Sequence, residues 1–126
     1  MYELVVLNSA VRELKKFDKP VRAKLLVVLD KIAQNPFIGD LLKGDLATIY
    51  SYHVKINGIA YRIAYQIDAQ EIIVVVMQIG TRENFYEELK KRFKIKMEYR
   101  SLLAILFSLV DKLWTDRRRV GNLSSY

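Results

Sequence analysis

Cysteine is absent from the 126-residue chain and histidine occurs once. The first absence removes disulfides, thiolate metal sites and cysteine nucleophiles together. The second leaves too few imidazoles for a zinc cluster, so neither a metal nor another cofactor is expected. No apolar run reaches the roughly 20 residues that a membrane-spanning helix needs. Internal repeats and low-complexity tracts are also missing. The N-terminus is an alternating apolar stretch carrying Glu3, without the basic flank and small-residue cleavage site of a signal peptide, so a cytoplasmic location is expected. The length suits one compact domain able to bury most of its surface without cross-links.

Positive charge is plentiful. Twenty-one basic and 14 acidic side chains leave a formal net charge of +7, which suits a polyanionic partner because neutralised phosphates release their condensed counterions. Nucleic acid is the first expectation and an anionic membrane surface the second. Residues 1–93 hold 14 basic and 11 acidic side chains (+3), and residues 94–126 hold 7 and 3 (+4), so the last quarter of the chain is disproportionately basic.

Hydrophobic periodicity divides the first 93 residues into recognisable elements. Tyr2 to Leu7, rich in valine and leucine, predicts a strand, after which Asn8 or Ser9 is expected to cap a helix. Val11, Leu14 and Phe17 keep helical spacing until Asp18-Lys19-Pro20 interrupts it, and Val21, Leu25, Val28, Leu29 and Ile32 resume it, predicting a helical hairpin. Asn35-Pro36 ends the second helix, because a residue preceding proline is pushed out of helical geometry. A Gly- and Asp-containing loop then runs to Asp45.

From Ile49 the period becomes two, and Asn57-Gly58, the dipeptide of a type I′ turn, closes the strand into a hairpin with Ile59 to Ile67. Ile72 to Ile79 supplies the third strand of an antiparallel meander, the N-terminal strand a fourth, and a helix beginning near Glu83 completes an α+β unit.

The two-residue turn sets the hairpin register. Ile56 faces Ile59, Lys55 faces Ala60, Val54 faces Tyr61 and His53 faces Arg62, so His53, Lys55 and Arg62 share one side of the sheet. Tyr52, Val54, Tyr61, Ile63 and Tyr65 occupy the other, apolar enough to seat the helical hairpin. A three-residue turn at Asp68-Ala69-Gln70, favoured over a two-residue turn that would reverse the parity, pairs Arg62 with Val76, directs Ile73, Val75, Met77 and Ile79 into the helix-facing core, and continues the basic face through Gln78 and Gly80 toward Arg82 and Tyr86.

Cations converging beside an aromatic ring, without paired carboxylates, suit a phosphodiester and a stacked base. They also suit metal-independent RNA cleavage, in which the 2′-hydroxyl attacks the adjacent phosphate while one group accepts its proton and another protonates the departing 5′-oxygen. Arginine stays protonated and cannot be the base. His53 and Lys55 are therefore the proton-transfer candidates, Arg62 and Arg82 the transition-state stabilisers, and Tyr86 the residue that orients or stacks the nucleotide. Singly, each has a plainer reading: a solvent-facing histidine, an edge lysine, an arginine in an ion pair, a tyrosine covering a helix end. Their common face favours the functional one. Lys15-Lys16 and Lys90-Lys91-Arg92 are expected to be solvated helix faces.

The order strand, helical hairpin, "LLKGDL", "YSYHVKINGIAYRIAYQID" and "IVVVMQIGTRENFYEELKKRF" resembles the RelE/ParE toxin superfamily, specifically its RelE-like branch, over about residues 1–93. "YRIAYQI" and "IGTRENFY" are the most specific parts. The resemblance implies a toxin of a type II toxin-antitoxin system that cuts messenger RNA in the ribosomal decoding site and is silenced by a cognate antitoxin. Arg62, Arg82 and Tyr86 match RelE-like active-site positions, and Lys55 matches one of a pair of strand lysines. His53 stands where the other lysine is found. Lys43, in "LLKGDL", joins Lys55, Arg62 and Arg82 as an expected RNA-binding residue. The alternatives are a ParE-like inhibitor of DNA gyrase without nuclease chemistry, and an inactive interaction module.

Residues 94–126 fall outside the resemblance and are expected to form a separate extension. The apolar run from Leu102 to Val110 gives a helix apolar almost all round, which needs a partner surface, and it is followed by Leu113-Trp114 and the basic cluster Arg117-Arg118-Arg119. A homodimer through this helix, a stand-in for antitoxin contact, a membrane-surface element and sequence not native to the chain are the readings open for it.

Overall fold

The computed structural model describes residues 1–81 and 83–102, with side chains described as far as Lys94. The chain runs β1 (Glu3–Val6), α1 (Asn8–Lys16), α2 (Lys19–Gln34), β2 (Asp40–Leu41), β3 (Tyr50–Ile56), β4 (Ile59–Asp68), β5 (Ile73–Gly80) and α3 (Phe85–Leu102), with single 3-10 turns at Pro36–Ile38 and Gly44–Leu46. The five strands form one sheet in the order β1-β5-β4-β3-β2. β1 lies parallel to β5, and the other neighbours are antiparallel. This is an α+β sheet with helices on both faces.

Each face has its own core. The α1–α2 hairpin lays Leu14, Val21, Leu25, Leu29 and Ile32 against Ile56, Tyr61, Ile63, Tyr65, Val74, Val76 and Ile79. Helix α3 lays Phe85 and Leu89 on the opposite face against Ile49, Ala64 and Met77. Pro20 sits in the first turn of α2, where its missing N–H has no helical partner to lose, and Asn35 leaves helical geometry at φ −144° before Pro36. Asn57 and Gly58 both adopt positive φ, 53° and 82°, as the type I′ turn requires. The β3–β4 register is the expected one, Ile56 on Ile59 through His53 on Arg62.

Four details differ from the sequence reading. β2 adds a fifth strand inside the stretch read as loop; two residues are too few to display a period of two. Helix α1 has Leu7 at its N-cap with no side-chain cap bond, and Ser9 instead donates its hydroxyl to the Met77 carbonyl at 3.4 Å. The loop before β5 spans four residues, 69–72, anchored by the Glu71 N–H on Asp68 Oδ1 at 3.0 Å and closed by Ile72 at φ 56°. Finally, a β-bulge between Ala64 and Tyr65 shifts the β4–β5 ladder by one further residue, and with the longer loop it sets Arg62 opposite Gly80 and not Val76.

The longer loop and the bulge together explain the mixed outcome for β5. At the Asp68 end the parity is reversed, so Val74 and Val76 enter the hairpin-side core while Val75 packs on the α3 side. Met77, at the bulge, also packs on the α3 side. Beyond the bulge the original parity returns, because a bulge adds one residue to one strand and turns the later residues to the other face. Ile79 therefore faces the hairpin as expected, and Gln78 and Gly80 share the face of Arg62.

Tyr65 ties the β2 side of the sheet to the end of α2. Fully buried, it donates its hydroxyl to the Pro36 carbonyl at 2.7 Å, accepts the Gly39 N–H at 3.1 Å, and stacks on Tyr50 at 5.6 Å. Gly39 is required by this close approach, since a Cβ there would overlap the Tyr65 hydroxyl. Burial pushes the phenol up to about 12, partly opposed by the Gly39 N–H bond. The unfolded chain therefore ionises at this position near the ordinary tyrosine value of about 10 while the folded chain holds its proton, so stability falls as pH rises from about 10 to 12. The expected loss is about 2–3 kcal/mol by pH 12. Urea unfolding across that range checks it, with Tyr65→Phe giving a flatter pH response and, from the two lost bonds, a stability about 1–3 kcal/mol lower near neutrality.

Candidate active site

Strand alternation on β3 and β4 builds the floor of the site. Ser51, His53 and Lys55 project to the α3 side of β3, and Arg62 and Ala64 do so from β4, with Ser51 opposite Ala64 and His53 opposite Arg62. His53 and Lys55 are exposed, Arg62 is half-buried and Ser51 is buried.

The first turn of α3 lowers Tyr86 onto this floor. Its hydroxyl lies 3.0 Å from His53 Nε2 and 3.2 Å from Ser51 Oγ, and its ring lies 5.8 Å from the Arg62 guanidinium carbon, within cation–π range. Phe85 seats the turn: it is 2% exposed, meets the Tyr86 ring edge-on at 5.2 Å, and accepts the Gln78 side-chain N–H on its carbonyl at 2.7 Å. Gly80 lets the Phe85 ring approach, since a Cβ there would stand only 3.2 Å from it.

Of the residues singled out in the sequence, His53, Arg62 and Tyr86 thus meet directly. Lys55 lies on the same face one alternation beyond His53. Lys43 is exposed two residues past β2, immediately before the 3-10 turn Gly44–Leu46, and no described bond joins it to the cluster. Arg82 lies outside the described residues, as does the apolar and basic stretch from 103 to 126. Helix α3 itself continues past position 93 to Leu102.

Among the described residues, no carboxylate pairs with Arg62, His53 or Lys55. The described ion pair stands on the other flank of α3, where Arg92 grips Glu13 of α1 through two contacts of 3.2 and 3.0 Å. Arg92 is therefore a clamp between α3 and α1 and not part of a solvated face, while Lys15, Lys16, Lys90 and Lys91 are exposed. Glu13 also accepts the Ile79 N–H at 3.0 Å, fixing the end of β5 that leads to the site. Ser51 is the member of the cluster not foreseen as a site residue; its place on the His53 face was legible, but its burial beneath Tyr86 was not.

The comparisons agree with this architecture. Residues 4–90 match the family of ParE-like toxins of type II bacterial toxin-antitoxin systems. The mRNA interferase toxin RelE of Escherichia coli K12 is 30% identical over 88 residues, covering 68% of this chain and 90% of that protein. The crystal structure of the isolated E. coli RelE toxin aligns with a TM-score of 0.55 and 28% identity over 73% of this chain and 98% of the toxin. The toxin in the intact E. coli RelBE toxin-antitoxin complex aligns at 0.56 and 25% identity over 66% and 99%. The chain belongs to the ParE-like toxins of type II toxin-antitoxin systems, in the RelE-like branch of the RelE/ParE superfamily. Among the described residues, no helix is long and apolar enough to cross a membrane.

Proposed function

We propose that this toxin is a ribosome-dependent messenger RNA endoribonuclease that cuts without a metal. The observation that carries the reading is the meeting of His53, Arg62 and Tyr86 on a face that no described carboxylate neutralises. The similarity to a protein named as an mRNA interferase supports it.

In the proposed reaction a base takes the 2′-hydroxyl proton and O2′ bonds to phosphorus. The P–O5′ bond breaks with its electron pair on O5′, and O5′ takes up a proton. The products are a 2′,3′-cyclic phosphate and a 5′-hydroxyl. His53 and Lys55 are the groups for proton handling, Arg62 and Arg82 stabilise the charge gathering on the phosphoryl oxygens, and Tyr86 orients the nucleotide. Lys43, with Lys55, Arg62 and Arg82, holds the RNA backbone. A cognate antitoxin silences the toxin, as the RelBE complex suggests by analogy.

The test adds purified protein to translating ribosomes and, in parallel, to gyrase with supercoiled DNA. Cut messenger with unchanged topology is the expected result; altered topology with intact messenger would replace this reading with gyrase inhibition. We also propose that the toxin unit ends near Phe93 and that residues 94–126 form an extension. Phe93 packs against the α3-side core, close to the Arg92 clamp. A chain stopped after Phe93 is expected to remain folded and toxic, checked by circular dichroism and growth arrest.

A further inference from the structure

Ser51 is 1% exposed, its hydroxyl sealed beneath Tyr86. Its position in β3 faces β2 on one side and β4 on the other, paired with Asp40 and Ala64. Among the described residues the partner of its Oγ is the Tyr86 hydroxyl, and that hydroxyl in turn reaches His53 Nε2. Three groups therefore form one chain, and the direction of its bonds sets the imidazole tautomer.

The direction follows from burial. A serine hydroxyl carries one proton, and a buried donor left without an acceptor costs about 1–3 kcal/mol. Ser51 avoids that cost by donating to the Tyr86 oxygen. Tyr86 then has its own proton to give, and the neighbouring acceptor is His53 Nε2. A neutral imidazole that accepts at Nε2 carries its hydrogen on Nδ1, because the bond made by one ring nitrogen sets the state of the other.

We propose that Ser51, acting through Tyr86, holds neutral His53 in the Nδ1–H form, so that the imidazole meets the RNA as a hydrogen-bond donor and not as the base. Ser51 is on this account a positioning residue. The part that concerns RNA rests on the nuclease reading above and leaves Lys55, reacting as the neutral amine, as the acceptor of the 2′-hydroxyl proton. The tautomer itself does not depend on that reading.

His53 is the only histidine in the chain, so its two ring nitrogens can be followed without assignment. The measurement is two-dimensional 1H–15N correlation of the imidazole in the free full-length protein at pH about 8.5, some two units above the ordinary histidine value. The wild type is expected to show a protonated Nδ1 and an unprotonated Nε2. Ser51→Ala and Tyr86→Phe should both move the ring toward the Nε2–H form, and Ser51→Thr, which restores the hydroxyl, should return it to Nδ1–H. If Ser51→Ala fails to fold, Tyr86→Phe carries the comparison.

An Nε2–H wild type overturns the proposal, as does a folded Ser51→Ala protein with an unchanged tautomer. Where the ribosome assay shows cleavage, His53→Asn, whose amide nitrogen takes the place of Nδ1, should cleave at least about tenfold faster than His53→Gln, whose amide nitrogen falls near Nε2. Equal or reversed rates overturn the donor role. Intact messenger with an Nδ1–H histidine removes the nuclease reading and keeps the tautomer assignment.

Discussion

Replacing Arg62 with alanine should lower messenger cleavage on translating ribosomes by about 10²–10³-fold, the loss typical of removing one preorganised donor from a developing anion. Arg62 is half-buried beside the Tyr86 ring, which aligns the guanidinium while leaving it without a described carboxylate partner. Its charge is therefore available to an added phosphoryl charge and is not already spent on an ion pair. Lysine at the same position should recover only part of the loss, because an ammonium lacks the planar fork and packs less well on the ring. Single-turnover cleavage separates this effect from weaker binding, since a group acting mainly on the transition state lowers the rate at saturating ribosome concentration. Equal cleavage by the wild type and Arg62→Ala would remove Arg62 from the chemistry.

The second large effect belongs to stability. Phe85→Ala should destabilise the protein by about 3–5 kcal/mol, the range for deleting a buried phenylalanine from a packed core. Phe85 and Tyr65 head the largest fully buried side chains, and Phe85 joins α3 to the sheet through Ile49, Ala64, Met77 and Leu89. Against a typical total stability of about 5–15 kcal/mol, that loss is large, with a fall in Tm on the order of 10–20 °C. Thermal unfolding followed by circular dichroism measures it. Because Tyr86 is the next residue in the same turn, the variant should also weaken the contact with His53, visible as a change in the imidazole resonances. A Phe85→Ala protein with wild-type stability would mean that α3 is held by other contacts.

Local chemistry made much of the site readable from the chain alone. Asn57-Gly58 is a strong hairpin signal because both residues must adopt positive φ, and once that turn is placed, alternation alone sets His53 opposite Arg62. The helical hairpin was equally legible, since α2 repeats Val21, Leu25, Leu29 and Ile32 at the spacing of one helical face. Membership of the toxin family rests on the same stretches.

Other features were decided by contacts between residues distant in sequence. The bulge at Ala64/Tyr65 and the four-residue loop move β5 against β4, and no local pattern marks either, because Ile73 to Met77 is apolar on both faces and reads equally well in either parity. β2 exists because β3 pairs with it, and Arg92 became a clamp because Glu13, 79 positions earlier, stands across from it. Ser51 became part of the site only when α3 covered it. A sequence determines by itself whatever depends on neighbours a few residues apart; the burial of a hydroxyl, and hence the direction of its proton, depends on an element that arrives from elsewhere in the chain.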